Sequence, residues 1–160
     1  MLESVDRALA VDASHFAVDY HQRPMTIALD HLLVPARRRV DAAKLIASLL
    51  QVEWAEQGPV GPFSPVYVND GLTLDFDEWG ESELPTMHYC FRVDEVTFDA
   101  VLSRIITAGL PYRSLPHGPV DHRVNTNLGG RIVYWSEPDQ HIWELLTVSY
   151  ERPGALRRPG

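Results

Sequence analysis

The 160-residue sequence predicts an α+β fold of two βαβββ modules, each curling a mixed sheet around a cleft with its helix outside. Three observations predict it. A strand, a helix and further strands follow one another, and the same order recurs about 57 positions later. Each copy holds one segment with apolar residues at i, i+3, i+4 and i+7, the mark of an amphipathic helix. The repeat is longer than the common solenoid periods and occurs only twice, so two units sharing a core fit better than an array.

The elements follow in order. "TIALDHLLV" (26–34) is β-like. "VDAAKLIASLLQVEW" (40–54) is helical, with Ala42, Leu45, Ile46 and Leu49 on one face. Pro59, Gly61 and Pro62 break the chain. "SPVYVND" and "LTLDFDEW" are strands joined at Asn69-Asp70-Gly71, a hairpin signal. In the second copy "MHYCFRVD" (87–94) is a strand. "EVTFDAVLSRIITAG" (95–109) is a helix with Phe98, Val101, Leu102 and Ile105 inward, Asp94 as N-cap and Gly109 with Pro111 as its stop. "YRSLP" is a short strand, and "RIVYWSEP" and "HIWELLTVSY" complete the module. The compact domain is expected over 25–150, with modules at about 25–80 and 86–150. Residues 1–24 read as a loosely attached, disordered extension or an unused upstream start, and the Pro- and Gly-rich 151–160 as a flexible tail.

Composition narrows the partners. The formal net charge is −8 and the largest basic cluster is Arg37-Arg38-Arg39, which argues against nucleic acid. The triplet reads as the solvated start of a helix. Cys90 is the only cysteine, so no internal disulfide forms. No apolar run is long enough to span a bilayer and no signal segment opens the chain. A cytoplasmic protein is expected.

Glu144 stands out, because it lies between Trp143 and Leu145 in a strand-forming run. A lone buried carboxylate is costly unless it is paired, protonated or bound to a metal. His31 lies in the first strand of the first unit, His88 in that of the second, and Glu144 in the last strand. Two histidines and a carboxylate on strands are the ingredients of a facial triad, which suits Fe(II) and also serves Mn, Ni or Zn. Three ligands leave positions open for substrate. The long polar loop "LPHGPVDHRVNTN" offers His117, His122, Arg123, Asn125 and Asn127 as a general base or orienting groups. His122 is the expected base, and Arg123, Asn125 and Asn127 the expected substrate contacts.

"DHLLV" (30–34), "HYCFRVD" (88–94) and "GGRIVYWSEPDQHIWELL" (129–146) together resemble the vicinal-oxygen-chelate superfamily, which includes glyoxalase I, extradiol dioxygenases, and fosfomycin- and bleomycin-resistance proteins. The likeness covers about residues 26–150. It implies that a divalent ion is held by His31, His88 and Glu144. It also implies that Tyr134 faces the substrate and that His141 fills the family's turn position without being a ligand. A fourth ligand, as in glyoxalase I, would be Asp75 or Asp77. Gln140 stands where the family has Gly, and so must adopt a conformation that Gly tolerates better.

The expected activity is that of a metal-dependent enzyme on a small molecule with vicinal oxygens, with a preference for extradiol-dioxygenase-like chemistry. A glyoxalase-like lyase or isomerase, or a non-catalytic protein of the bleomycin-resistance type, are the alternatives. A homodimer with its cleft completed across chains is what the resemblance implies.

Overall fold

The computed structural model describes residues 27–80 and 83–151. The extension expected over 1–24, and all of the expected tail but residue 151, lie outside them. The first module comprises β1 (His31–Ala36), α1 (Arg39–Leu50), β2 (Glu53–Trp54), β3 (Ser64–Asn69) and β4 (Leu72–Glu78). The second comprises β5 (His88–Arg92), α2 (Glu95–Thr107), β6 (Tyr112–Arg113), β7 (Ile132–Ser136) and β8 (Ile142–Leu146). Each module forms its own four-stranded mixed sheet, in the orders β1-β4-β3-β2 and β5-β8-β7-β6. β1 pairs parallel to β4, β5 parallel to β8, and the remaining pairs are antiparallel. The sheets do not close.

Local chemistry explains the helices. Asp94 accepts from Thr97 N–H at 2.7 Å and caps α2. Gly109, at φ +66, takes the left-handed turn just beyond that helix. The helix expected to reach Trp54 stops at Leu50. Gln51 turns left-handed (φ 58), Val52 N–H bonds back to Ala47, and Glu53–Trp54 pair with β3. β1 likewise begins at His31 rather than at 26, and it runs through Pro35, which an edge strand accommodates. The arginine triplet is not simply solvated. Arg38 pairs with Asp41, but Arg37 binds Asp139, and Arg39 reaches Ser64 and the Glu56 carbonyl.

Alternation divides each sheet into two faces. Val34, Ala36, Leu74 and Phe76 of the first sheet and Tyr89, Val133, Trp135, Trp143 and Leu145 of the second belong to one core, with Ile46, Phe98 and Ile105 from the helices. The modules therefore share the core on their helix-side faces. Polar links reinforce the join. His141 is almost fully buried; its Nδ1 accepts from Met87 N–H at 3.1 Å, so its Nε2–H donates to the Pro35 carbonyl at 2.7 Å. Arg37 and Asp139 pair at 3.1 Å across the same junction. Gln140 sits at φ 67, the conformation expected of it, with its N–H on the Glu137 carbonyl.

Two outcomes follow. His141→Ala leaves the buried Pro35 carbonyl and the part-buried Met87 N–H unpaired and should destabilise by about 3 kcal/mol in chemical unfolding. The Asp94 carboxyl is held below its ordinary range by the Thr97 N–H bonds. A depressed folded pKa adds stability above the unfolded carboxylate range, and this is lost as pH falls through the folded value. Asp94→Ala should thus lower the urea midpoint at neutral pH, with the gap to wild type closing on acidification.

Candidate metal and substrate site

The face of the second sheet opposite the core carries the candidate residues. β5 contributes His88, Cys90 and Arg92; β8 contributes Ile142, Glu144 and Leu146; β7 contributes Ile132, Tyr134 and Ser136; β6 contributes Arg113. Register aligns Cys90, Glu144, Tyr134 and Arg113 in one row across four strands.

Glu144 is fully buried, and its carboxylate is met on both oxygens. His88 Nε2–H donates to Oε2 at 2.9 Å. Tyr134 and Tyr150 hydroxyls both donate to Oε1, at 3.2 and 2.8 Å. Ile132, Tyr134 and Leu146 form a small apolar cluster beneath Leu128, Ile142 and Tyr150, which shields that oxygen. Oε1 is thus committed to phenols, and Oε2 faces the imidazole. The Tyr134 phenol is pushed up to about 12, by burial first and also by the Glu144 charge. Tyr150 is raised by burial and by its bonds to Tyr134 and Glu144. The Cys90 thiol, opposite Glu144, is pushed up to about 12 by burial and then by that carboxylate. All three are neutral near pH 7.

The first sheet repeats this register. His31 lies two residues before Leu33, which is opposite Asp75; His88 lies two residues before Cys90, which is opposite Glu144. Asp75 is therefore the counterpart of Glu144. Asp77 lies opposite Pro35 and accepts from Trp79 Nε1 instead. Leu74 and Phe76 face the core. His31 Nδ1 bonds Asp30 at 2.8 Å, and its side chain is 62% exposed. The His31 pKa is raised, first by that bond, with Asp75 adding to it; the Asp75 carboxyl is raised by burial, with His31 opposing. Pro65, not a tyrosine, lies opposite Asp75.

Convergence of His31, His88 and Glu144 on one point is not what one chain provides. Among the described residues no three His, Cys, Asp or Glu side chains gather closely enough to hold a metal ion. The structure brings His88 and Glu144 together and leaves His31 outside. The physical reason is the shared core: the helix-side faces pack together, so the faces bearing His31 and Glu144 do not.

The polar loop is occupied with its own folding. The His122 ring packs edge-on against Tyr112, whose partner in register is Trp135 on the core side, so His122 is on the opposite face from Glu144. Asp121 accepts from Ser114 and from Arg123 N–H. Asn125 bonds the Ser114 carbonyl and accepts from Asn127 N–H. None of His122, Arg123, Asn125 and Asn127 makes a described hydrogen bond to His88, Tyr134 or Glu144. Nothing in the described contacts brings His117 to them either. Sequence reasoning passed over Tyr150, which lies beyond the last strand, and Arg113, which one row of register would have placed beside Tyr134.

No protein-family model matches the chain, and no curated protein does. Solved structures do. The chain is 35% identical to the oxidase ChaP-H2, with a TM-score of 0.73 over 79% of this chain and 98% of that one. It is 37% identical to the oxidase ChaP-H1, with a TM-score of 0.71 over 79% and 99%. A glyoxalase/dioxygenase from Nostoc punctiforme is 16% identical, with a TM-score of 0.58 over 90% and 98%, a likeness of fold alone.

The two phenols on one oxygen make a coupled network. Tyr134→Phe and Tyr150→Phe should each destabilise by about 1–2 kcal/mol, and a double-mutant cycle read by urea unfolding should give a non-additive coupling between them.

Proposed function

The chain belongs to the vicinal-oxygen-chelate superfamily, and we propose that it is a divalent-metal-dependent enzyme that oxidises a small molecule bearing two adjacent oxygens. Its 35–37% identity to two oxidases supports the oxidative reading. Extradiol-type cleavage fits, since both atoms of O₂ enter the product and no outside reductant is needed.

The observation that carries the proposal is the pair of matched half-sites, His31 with Asp75 and His88 with Glu144, in the same register. The donor set fits a divalent ion. Imidazole and carboxylate are suitable ligands, and His88 Nε2 and Glu144 Oε2 already face each other at 2.9 Å across a proton that a cation can replace. His88, Glu144 and His31 would hold the ion, with Asp75 available as a fourth donor. His31 would come from a second copy of the chain, whose exposed first-sheet face would cover the Glu144 face in a homodimer. When bound, the ion supplies a Lewis acid that holds both substrate oxygens and stabilises charge developing on them.

The chain's own residues do the rest. Tyr134 and Tyr150 hold Oε1, so Glu144 presents Oε2. Tyr134, next in the row, keeps its single proton on Glu144 and offers its oxygen as an acceptor for a substrate hydroxyl. A glyoxalase-like lyase is the second reading, favoured by Asp75 in the fourth-ligand register. Sequestration without turnover fits less well with a retained donor set.

Protein purified without chelator should carry Fe(II), Mn, Ni or Zn by elemental analysis and lose it in His88→Ala and Glu144→Ala. Mixing His31→Ala with His88→Ala dimers in equal amounts under subunit exchange should restore about a quarter of the wild-type binding, because about half of the dimers become heterodimers and one of the two sites in each is then intact. Lack of recovery, with metal bound by monomers, refutes the cross-chain site. O₂-dependent turnover of a catechol with Fe(II) selects oxidation; anaerobic isomerisation of a thiol–ketoaldehyde adduct selects the lyase.

A further inference from the structure

Arg113 stands out among the arginines. Arg37, Arg38 and Arg131 pair with carboxylates, while Arg39 and Arg104 bond carbonyl oxygens. Among the described residues the Arg113 guanidinium meets only a hydroxyl, with Nη2 donating to Ser136 Oγ at 2.5 Å. Its Nε is buried and has no hydrogen-bond partner among the described residues. An unpaired buried donor on a charged group is costly, so this arrangement is not explained by folding alone.

Its position is informative. Arg113 lies directly opposite Tyr134, which lies directly opposite Glu144. Ser136 is on that same face, two residues beyond Tyr134. The guanidinium thus sits at the far end of the row, two strand spacings or about 10 Å of backbone from Glu144, and side-chain reach shortens the gap. The protein carries a formal net charge of −8, so an anion would be drawn here by this local cation and not by the molecule's overall field.

We propose that Arg113 is an anion subsite, and that the substrate carries a carboxylate several ångströms from its vicinal oxygens. The inference rests on reading this face as the substrate cleft. The Nε–H and the second Nη2 hydrogen form a fork that matches a carboxylate, and a small side-chain rotation brings the fork to the ligand. Ser136 fixes the plane of the guanidinium. Arg92, on the same face of β5, is exposed and serves as the control for general positive charge.

The test compares 3,4-dihydroxybenzoate with catechol, which share the vicinal oxygens and differ by the carboxylate. Calorimetry on metal-loaded wild type should give about tenfold or greater preference for the acid. Arg113→Gln should bring the two affinities within about twofold while leaving catechol binding unchanged, Arg113→Lys should retain part of the preference, and Arg92→Gln should retain all of it. In ¹⁵N-labelled protein, metal-loaded or chelator-treated, the acid should shift the Arg113 Nε–H resonance and catechol should not. Equal affinities in wild type, an unmoved Arg113 resonance, or a preference erased by Arg92→Gln but not Arg113→Gln would overturn the subsite. Absence of turnover with the Arg113 shift intact would instead overturn the oxidative reading and leave the subsite standing.

Discussion

The molecule is organised around a carboxylate that has been taken out of water. Glu144 is fully buried on a strand whose neighbours, Trp143 and Leu145, are the centre of the core. Alternation leaves it no choice of side: if the tryptophan faces the helices, the glutamate faces away from them. A charge so placed is sustained only by donors, and three elements contribute them. β5 sends His88, β7 sends Tyr134, and the segment after β8 folds back to bring Tyr150. The two oxygens are treated differently. Phenols are neutral donors with high pKa values and hold Oε1 in place without cancelling its charge, while the imidazole on Oε2 is a group that can exchange its proton for a metal.

Duplication explains why the same register occurs twice, and divergence explains why the copies are unequal. Both parallel pairs set a histidine two residues ahead of the position facing an acid. The second copy acquired a tyrosine beside its acid and the first a proline, Pro65. The first half-site is accordingly wetter, with His31 exposed and bonded to Asp30. The join between modules is firm: a common core, the buried His141 bridge and the Arg37–Asp139 pair all bind helix-side faces together. Such a join holds the two polar faces apart within one chain.

What the sequence made legible was local. α2 announced itself through its apolar spacing, the Asp94 cap and Gly109, all within a few residues of one another. The strained turn at Gln140 was readable because a non-glycine residue occupied a glycine position. β2 was not readable: two residues have no periodicity, and Glu53–Trp54 are a strand only because β3 lies beside them. The loop histidine His122 looked available because a polar loop carries no internal sign of being satisfied, and its contact with Tyr112 depends on tertiary packing. Tyr150 and Arg113 were missed for a related reason. Each matters through cross-strand or fold-back partners, and neither interrupts the pattern of its own segment.

The sharpest gap concerns convergence itself. Periodicity states which residues share a face, and duplication states that two such faces exist; neither states which faces pack together. Alternation puts His88 and Glu144 on the non-core face of their sheet, and that placement is equally compatible with a cleft inside one chain and with two half-clefts on a shared core. The energetic decision lies in large apolar side chains. Trp135, Trp143, Phe76 and Phe98 are all buried almost completely, and each removes a large apolar area from water when the helix-side faces join. No comparable apolar run lies on the opposite faces, where the first sheet carries His31, Thr73 and Asp75 and the second His88, Cys90 and Glu144. Hydrophobic burial therefore fixes the arrangement of the modules, and it leaves the faces that bear His31 and Glu144 outside the shared core.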